Sequence, residues 1–263
     1  MALRSALLNV MTAAAEKAAR GLKRDFGEIE QLQVSRKGPS DFVSAADLKA
    51  ERTIRAELEK ARPKFGFLLE ETGEIKGEDE RHRWIIDPVD GTTNFLHGIP
   101  HFAISIALEL EGEIIAGLVY NPITDEMFMG EKGKGAVLNN HRLRVSARTD
   151  LGDALIGTGI PFRGHGNTAA YGKVLDRVMP EVAGIRRFGS AALDLAYVAA
   201  GRFDGYWETG LKMWDIAAGV LLVREAGGYV TEVNGGKNPI GTGSVLASNQ
   251  KLHKSLQDLV NQD

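Results

Sequence analysis

Two carboxylates three positions apart are the first feature of this chain able to do chemistry. Asp87 ends the apolar run Trp84-Ile85-Ile86, Pro88 is expected to turn the chain, and Asp90 follows at once, so both side chains should emerge at one strand end. Like charges held that close need a cation between them, or one of them must take a proton. Oxygen donors of this kind select Mg²⁺, Mn²⁺ or Ca²⁺. Gly91-Thr92-Thr93 come next, where the chain can enter a helix and offer free backbone N–H groups to a phosphate. Asp-Pro and Asp-Gly are also ordinary turn pairs, so the spacing alone reads as a turn. A second acidic pair, Glu70-Glu71, ends another apolar stretch, and Asp215 stands behind Trp214 at a helix start; both shift that balance. Three acidic strand ends or helix starts, with no other catalytic signature, point to a polynuclear metal site.

Composition narrows the alternatives. The 263 residues include no cysteine, which removes disulfides, thiolate nucleophiles, iron–sulfur clusters and cysteine zinc sites, so any metal is held by oxygen or imidazole. With 32 Lys plus Arg against 35 Asp plus Glu, the net charge is −3, and direct nucleic-acid binding is not expected. The apolar run at residues 216–223 stops at Arg224, far short of the ~20 residues that span a bilayer. At the N-terminus, Leu3, Leu7, Val10, Met11 and Ala14 fall at helical spacing, which favours a helix over a secretory signal. Gly157-Thr158-Gly159 lacks the third glycine of a dinucleotide loop. Gly133-Lys134-Gly135 reads as a tight hairpin. His97 and His101 have metal-like spacing, but Gly98 and Pro100 between them forbid a regular helix, so both read as loop residues.

The elements that must position the carboxylates follow from periodicity. Two amphipathic helices are expected first, at about residues 3–26 and then from Ser44, with Asp47 three residues on as an acidic variant of a capping box and Pro63 as the stop. Residues 36–40, Arg-Lys-Gly-Pro-Ser, read as a short basic loop between them. Apolar runs at 67–69, 84–86, 103–110, 114–120, 127–129 and 136–138, joined by short turns, predict an antiparallel meander. After Val145 strands and helices alternate, with helices near 168–178, 190–200, 214–226 and from 250, which predicts a mixed, layered second half. The expected organisation is therefore residues 1–145 carrying most metal ligands and residues 146–263 supplying Asp215 and substrate contacts.

On these residues the chain resembles the inositol monophosphatase family of Mg²⁺-dependent, Li⁺-sensitive phosphatases. The resemblance rests on residues 84–94, on Trp214-Asp215-Ile216-Ala217-Ala218-Gly219 followed by Glu225-Ala226-Gly227-Gly228, and on Glu70 upstream. It implies a mixed α+β fold, an αβαβα sandwich with an antiparallel N-terminal sheet and a mixed C-terminal sheet. It implies that Glu70, Asp87 and the Val89 carbonyl hold one Mg²⁺, that Asp87, Asp90 and Asp215 hold a second, and that a weaker third ion leans on Glu70; Mn²⁺ is an expected substitute. Thr93, hydrogen-bonded to Asp47, would orient the attacking water together with Glu70, which displaces the plain helix-cap reading of Asp47. Gly91 and Thr92 would meet the phosphate, while Asp90, the Gly189-Ser190-Ala191 turn and Glu208 would meet substrate hydroxyls, although Glu208 alone reads as solvent-facing. Arg36-Lys37 matches a basic loop that closes over the site in the family. The resemblance further implies a cytoplasmic homodimer acting on inositol monophosphate. Relatives cleave fructose 1,6-bisphosphate, histidinol phosphate or 3′-phosphoadenosine phosphates, and some bacterial ones join transcription complexes as protein partners.

Overall fold

The computed structural model describes residues 5–28, 34–38, 41–161 and 166–261. Helix α1 (Ala6–Gly27) opens at Ser5, whose side chain accepts the Leu8 N–H, so it starts inside the range the periodicity predicts. The expected basic loop is in part a strand: β1 (Val34–Gly38) contains the backbone of Arg36 and Lys37 and pairs antiparallel with β2 (Asp41–Ser44), while residues 39–40 lie outside the described residues. Helix α2 (Ala45–Ala61) follows at once.

The first large sheet is built from β3 (Phe65–Leu69), β4 (Gly73–Ile75), β5 (Asp79–Asp90), β6 (Ala103–Leu110), β7 (Glu113–Asn121), β8 (Glu126–Glu131), β9 (Gly135–Leu138) and β10 (His141–Arg142), with the short helix α3 (Thr92–Leu96) between β5 and β6. Its strand order is β10-β9-β8-β7-β6-β5-β3-β4. It is not purely antiparallel as expected, because β3 and β5 pair in parallel, with Leu69 opposite Ile86. The three-residue strand β4 folds back along the outer side of β3, and residues 76–78 return the chain to the level of Phe65, where β5 begins alongside. Pro88 makes no turn either. Strand β5 runs on to Asp90 through a bulge, where three steps from Asp87 to Asp90 match two from Ser105 to Ala103 on β6.

The second half supplies β11 (Leu155–Thr158), α4 (Thr168–Val178), β12 (Gly184–Arg186), α5 (Ala191–Ala199), β13 (Gly205–Thr209), α6 (Met213–Glu225), β14 (Tyr229–Thr231), α7 (Pro239–Thr242), β15 (Ser244–Ser248) and α8 (Gln250–Val260). Its five-stranded sheet, order β12-β11-β13-β15-β14, is mixed, with parallel pairs at β11 and antiparallel pairs at β15.

Strict alternation in the strands assembles the layers, since successive side chains leave opposite faces. Trp84, Ile86, Ile104, Ile106, Leu118 and Met129 pack with Met11, Leu22, Ile54 and Leu58 of α1 and α2. Their neighbours Ile85, Ala103, Ala107, Val119 and Phe128 turn the other way onto Leu195, Ala218 and Leu222 of α5 and α6. The far side of the α5/α6 layer meets Tyr206, Val245 and Ala247 of the second sheet, whose outer face packs Trp207 and Leu246 on Val178, Leu252 and Leu256 of α4 and α8. The result is five alternating layers, with α5 and α6 shared between the two sheets. Among the described residues no helix is long and apolar enough to cross a membrane.

Candidate metal and phosphate site

The parallel pairing of β3 and β5 brings the first two acidic positions together. Glu70 follows β3 directly, and its N–H donates to the Ile86 carbonyl at 3.1 Å, so Glu70 stands beside Asp87. The start of α6 is pinned at the same place. Ser105, opposite Asp87 in the sheet, donates from its hydroxyl to the Trp214 carbonyl at 3.1 Å, and Asp215 is the next residue. Carboxylate oxygens of Asp87, Asp90 and Asp215 consequently lie within 4.8 Å of one another.

Each carboxylate is held by a backbone or hydroxyl donor. Asp87 accepts the Val89 N–H at 2.9 Å across the bulge, and Asp215 accepts the Lys212 N–H at 2.7 Å at the start of its helix. Asp90 reaches across to α5, accepting from the Ser190 hydroxyl at 2.6 Å and the Ala192 N–H at 2.7 Å. That helix start favours negative charge. Even so, burial pushes Asp87 well above the ordinary carboxylate range, with Glu70, Asp90 and Asp215 adding repulsion. Burial also raises Asp90 to about 7 against the pull of Ser190 and Ala192, and raises Asp215 well above its ordinary value with help from Asp90. Four acidic groups crowded into one pocket cannot all ionise unless positive charge is supplied. An all-oxygen donor set of this charge fits a hard divalent cation such as Mg²⁺ or Mn²⁺.

The Val89 carbonyl accepts the Thr92 hydroxyl at 3.0 Å, leaving a second lone pair for another partner. Asp47 lies 3.2 Å from the same hydroxyl, whose single proton the two oxygens share, and this corrects the sequence reading, which paired Asp47 with Thr93. The Thr93 side chain is exposed. Gly91, at φ +97°, lets the chain turn from the strand into α3 so that Thr92, the first helical residue, faces back over β5. One residue further, the helical rotation of ~100° carries Thr93 outward.

A cavity of about 640 Å³ opens on the cluster. Its wall includes Glu70, Asp87, Val89, Asp90 and Asp215 at one end and Gly91, Thr92, Gly189, Ser190, Ala191 and Glu208 around them. Asp47 is fully buried behind Thr92. Glu208 is not turned to solvent as an isolated strand-end glutamate would be. Its carboxyl accepts the Tyr206 hydroxyl, and burial raises its pKa while Tyr206 and Arg187 oppose that rise. It leans over Gly159, where a Cβ would lie 1.9 Å from the carboxyl carbon, so any larger residue there would push the Glu208 carboxyl from this place. Gly159 was legible in the sequence only as part of a failed nucleotide motif. Tyr206 carried a signal, since residues two apart on a strand share a face. His97 and His101 stay outside the cluster as loop residues, and Gly133 and Gly135, both at positive φ, close the β8–β9 hairpin as expected.

Alternating helix and sheet layers with a carboxylate cluster at the strand ends mark a metal-dependent phosphatase. The family model that matches residues 3–263 is that of the inositol monophosphatase family, and the chain belongs to it. It is 62% identical over 257 residues to the inositol-1-monophosphatase of Rhizobium meliloti (strain 1021), covering 98% of this chain and 97% of that protein. It is 43% identical over 250 residues to the Nus factor SuhB of Escherichia coli (strain K12), covering 95% of this chain and 94% of that one. Among solved structures, the extragenic suppressor protein suhB of Bartonella henselae superposes with a TM-score of 0.95 at 58% identity, covering 98% and 99% of the two chains.

Proposed function

We propose that this phosphatase is a Mg²⁺-dependent phosphomonoesterase that hydrolyses inositol monophosphate to inositol and phosphate. The observation that carries the reading is the meeting, in one cavity, of the Asp87–Asp90–Asp215 cluster with Glu208. Glu70, Asp87, the Val89 carbonyl, Asp90 and Asp215 would hold two or three Mg²⁺ ions, or Mn²⁺, with Li⁺ competing where the three aspartates meet. Bound there, the metal supplies the positive charge that neutralises phosphate oxygens, acidifies water and stabilises the leaving alkoxide.

The remaining steps belong to the chain's own groups. The Thr92 hydroxyl, tied to Asp47, orients the attacking water together with Glu70, which transfers to Thr92 the role the sequence reading gave Thr93. The N–H groups of Gly91 and Thr92 meet phosphate oxygens. Asp90, the Gly189-Ser190-Ala191 turn and Glu208 accept or donate hydrogen bonds to ring hydroxyls, and Ser190 keeps Asp90 in place while doing so. The likeness to an inositol-1-monophosphatase at 62% identity supports inositol monophosphate over fructose 1,6-bisphosphate or nucleotide substrates. Phosphate release measured over a panel of inositol, sugar and nucleotide phosphates, with Mg²⁺ and with EDTA, tests this. A higher kcat/KM on a sugar bisphosphate than on inositol monophosphate would reassign the substrate, and activity unchanged by EDTA would remove the metal.

A second reading, a protein-partner role in a transcription complex, is supported by the 43% identity to a Nus factor. A metal-site double variant that loses hydrolysis yet keeps its cellular phenotype would establish it. Family resemblance also supports a homodimer, tested by sedimentation, and a cytoplasmic location, tested by fractionation.

A further inference from the structure

Helix α2 meets the carboxylate cluster through two side chains one turn apart on the same face, Asp47 and Glu51, which are 0% and 1% exposed. Asp47 reaches the segment carrying Asp87 and Asp90 through Thr92. Glu51 reaches the other segment. One of its oxygens accepts the Glu71 N–H at 2.8 Å, and the other accepts the Thr72 hydroxyl at 2.8 Å.

Glu70, Glu71 and Thr72 form the turn that joins β3 to β4, and Glu70 is its first residue. The register of that hairpin, Leu69 opposite Gly73, is already set by the strand pairing, and β4 is a three-residue edge strand. A buried carboxylate is a costly way to close such a turn, because its charge must be taken out of water and both oxygens satisfied. The contacts explain its placement. The N–H of Glu70 is bound by the Ile86 carbonyl at 3.1 Å, and the next N–H, that of Glu71, is bound by Glu51. With the peptides on both sides of Glu70 anchored, the direction in which its side chain leaves the backbone is set.

We propose that Glu51 is a positioning residue for Glu70: its two oxygens clamp the two residues after Glu70 and so hold the Glu70 carboxylate against Asp87. The assignment deepens the metal-binding role given to Glu70 above and rests on it. An acceptor-only group suits the task, since both contacts are donors and a glutamine amide nitrogen cannot accept from the Glu71 N–H or the Thr72 hydroxyl.

The experiment is a double-variant cycle read by Mn²⁺ affinity, with free Mn²⁺ followed by electron paramagnetic resonance in the full chain at fixed pH. Glu51→Gln should weaken Mn²⁺ binding by ~10- to 100-fold, the range for groups that orient metal ligands. Thr72→Val, at an exposed position where folding is not at stake, should weaken it by about 2- to 10-fold, the worth of one hydrogen bond. In a Glu70→Gln background neither change should weaken binding further by more than about 2-fold, because the carboxylate being positioned is gone. A structural role alone would produce the same loss in both backgrounds, and that result overturns the proposal, as does wild-type affinity in folded Glu51→Gln. If Glu51→Gln does not fold, the cycle with Thr72→Val decides in the same terms. Failure of the wild-type chain to bind Mn²⁺ would be a different failure, one that removes the metal assignment itself and the proposal with it.

Discussion

Replacing Asp90 by Asn should stabilise the metal-free protein while disabling the enzyme. With no cation, burial raises Asp90 from 3.8 to about 7, helped by Glu208 and Glu70. A carboxylate raised in the folded state binds more protons there than in the unfolded chain, so between pH ~4 and ~7 stability falls as pH rises. The full cost at pH 8 is at most about 4 kcal/mol, from 1.36 kcal/mol per unit. Asn removes that charge, but weakens the bonds from the Ser190 hydroxyl and the Ala192 N–H, at about 1–2 kcal/mol in total. The net expectation in EDTA at pH 8 is a variant about 2 kcal/mol more stable than wild type, with the difference shrinking toward pH 5. Urea unfolding of both proteins from pH 5 to 8 measures it; taking the difference cancels the groups that do not feel Asp90, while Asp87 and Asp215, relieved of its charge, change in the same stabilising direction. Added Mg²⁺ should reverse the order, since the wild type gains binding energy that the variant loses. Turnover at saturating Mg²⁺ should fall by at least ~10², because a ligand and a neutralising charge are both lost. A variant less stable than wild type at pH 8 in EDTA, with an unchanged pH trend, would refute the repulsion argument. Near wild-type turnover would refute the metal assignment.

Three further outcomes are expected. Thr92→Val should lower kcat by about tenfold or more with little change in KM, the scale of one oriented hydrogen bond in the transition state, whereas Thr93→Val should match wild type; steady-state kinetics on the pair checks which threonine serves Asp47. Glu208→Gln should cost inositol monophosphate ~1–3 kcal/mol of kcat/KM relative to a phosphate ester without ring hydroxyls, and equal losses on both esters would move Glu208 out of substrate recognition. His101 is held near 4 by burial beside Phe188 and Tyr197, with Glu126 opposing, so the unfolded chain binds the extra proton between pH 6.5 and 4. That contribution to stability, at most ~3 kcal/mol, is present above pH 6.5 and lost as pH falls to 4, and a His101→Phe variant should show a flatter acid limb in urea unfolding.

The amino-acid sequence alone determined which acidic groups meet at the site and much of the scaffold. Acidic residues at the ends of apolar runs are local signals, and so are the 3.6- and 2-residue periods. The periods placed α4, α5 and α6 within a residue of their observed bounds and found apolar runs inside the meander strands, although β5 begins five residues before and ends four after the run 84–86. What it could not settle was decided by pairing between distant segments. The parallel register of β3 with β5 is invisible in either strand, yet it sets Glu70 beside Asp87. Pro88 reads as a turn, and only the neighbouring strand β6 turns it into a bulge that sends Asp87 and Asp90 to one place. Thr92 and Thr93 are indistinguishable by type and differ only in helical phase, which the positive φ of Gly91 sets by fixing where α3 begins. Glu51 looks like any polar residue of an amphipathic helix, and Gly159 like any turn residue, until a turn 20 positions away and a strand almost 50 positions away close on them. Side-chain chemistry is a property of one residue and survives in the string. Register, phase and close approach are properties of pairs, and they exist only once the layers have packed.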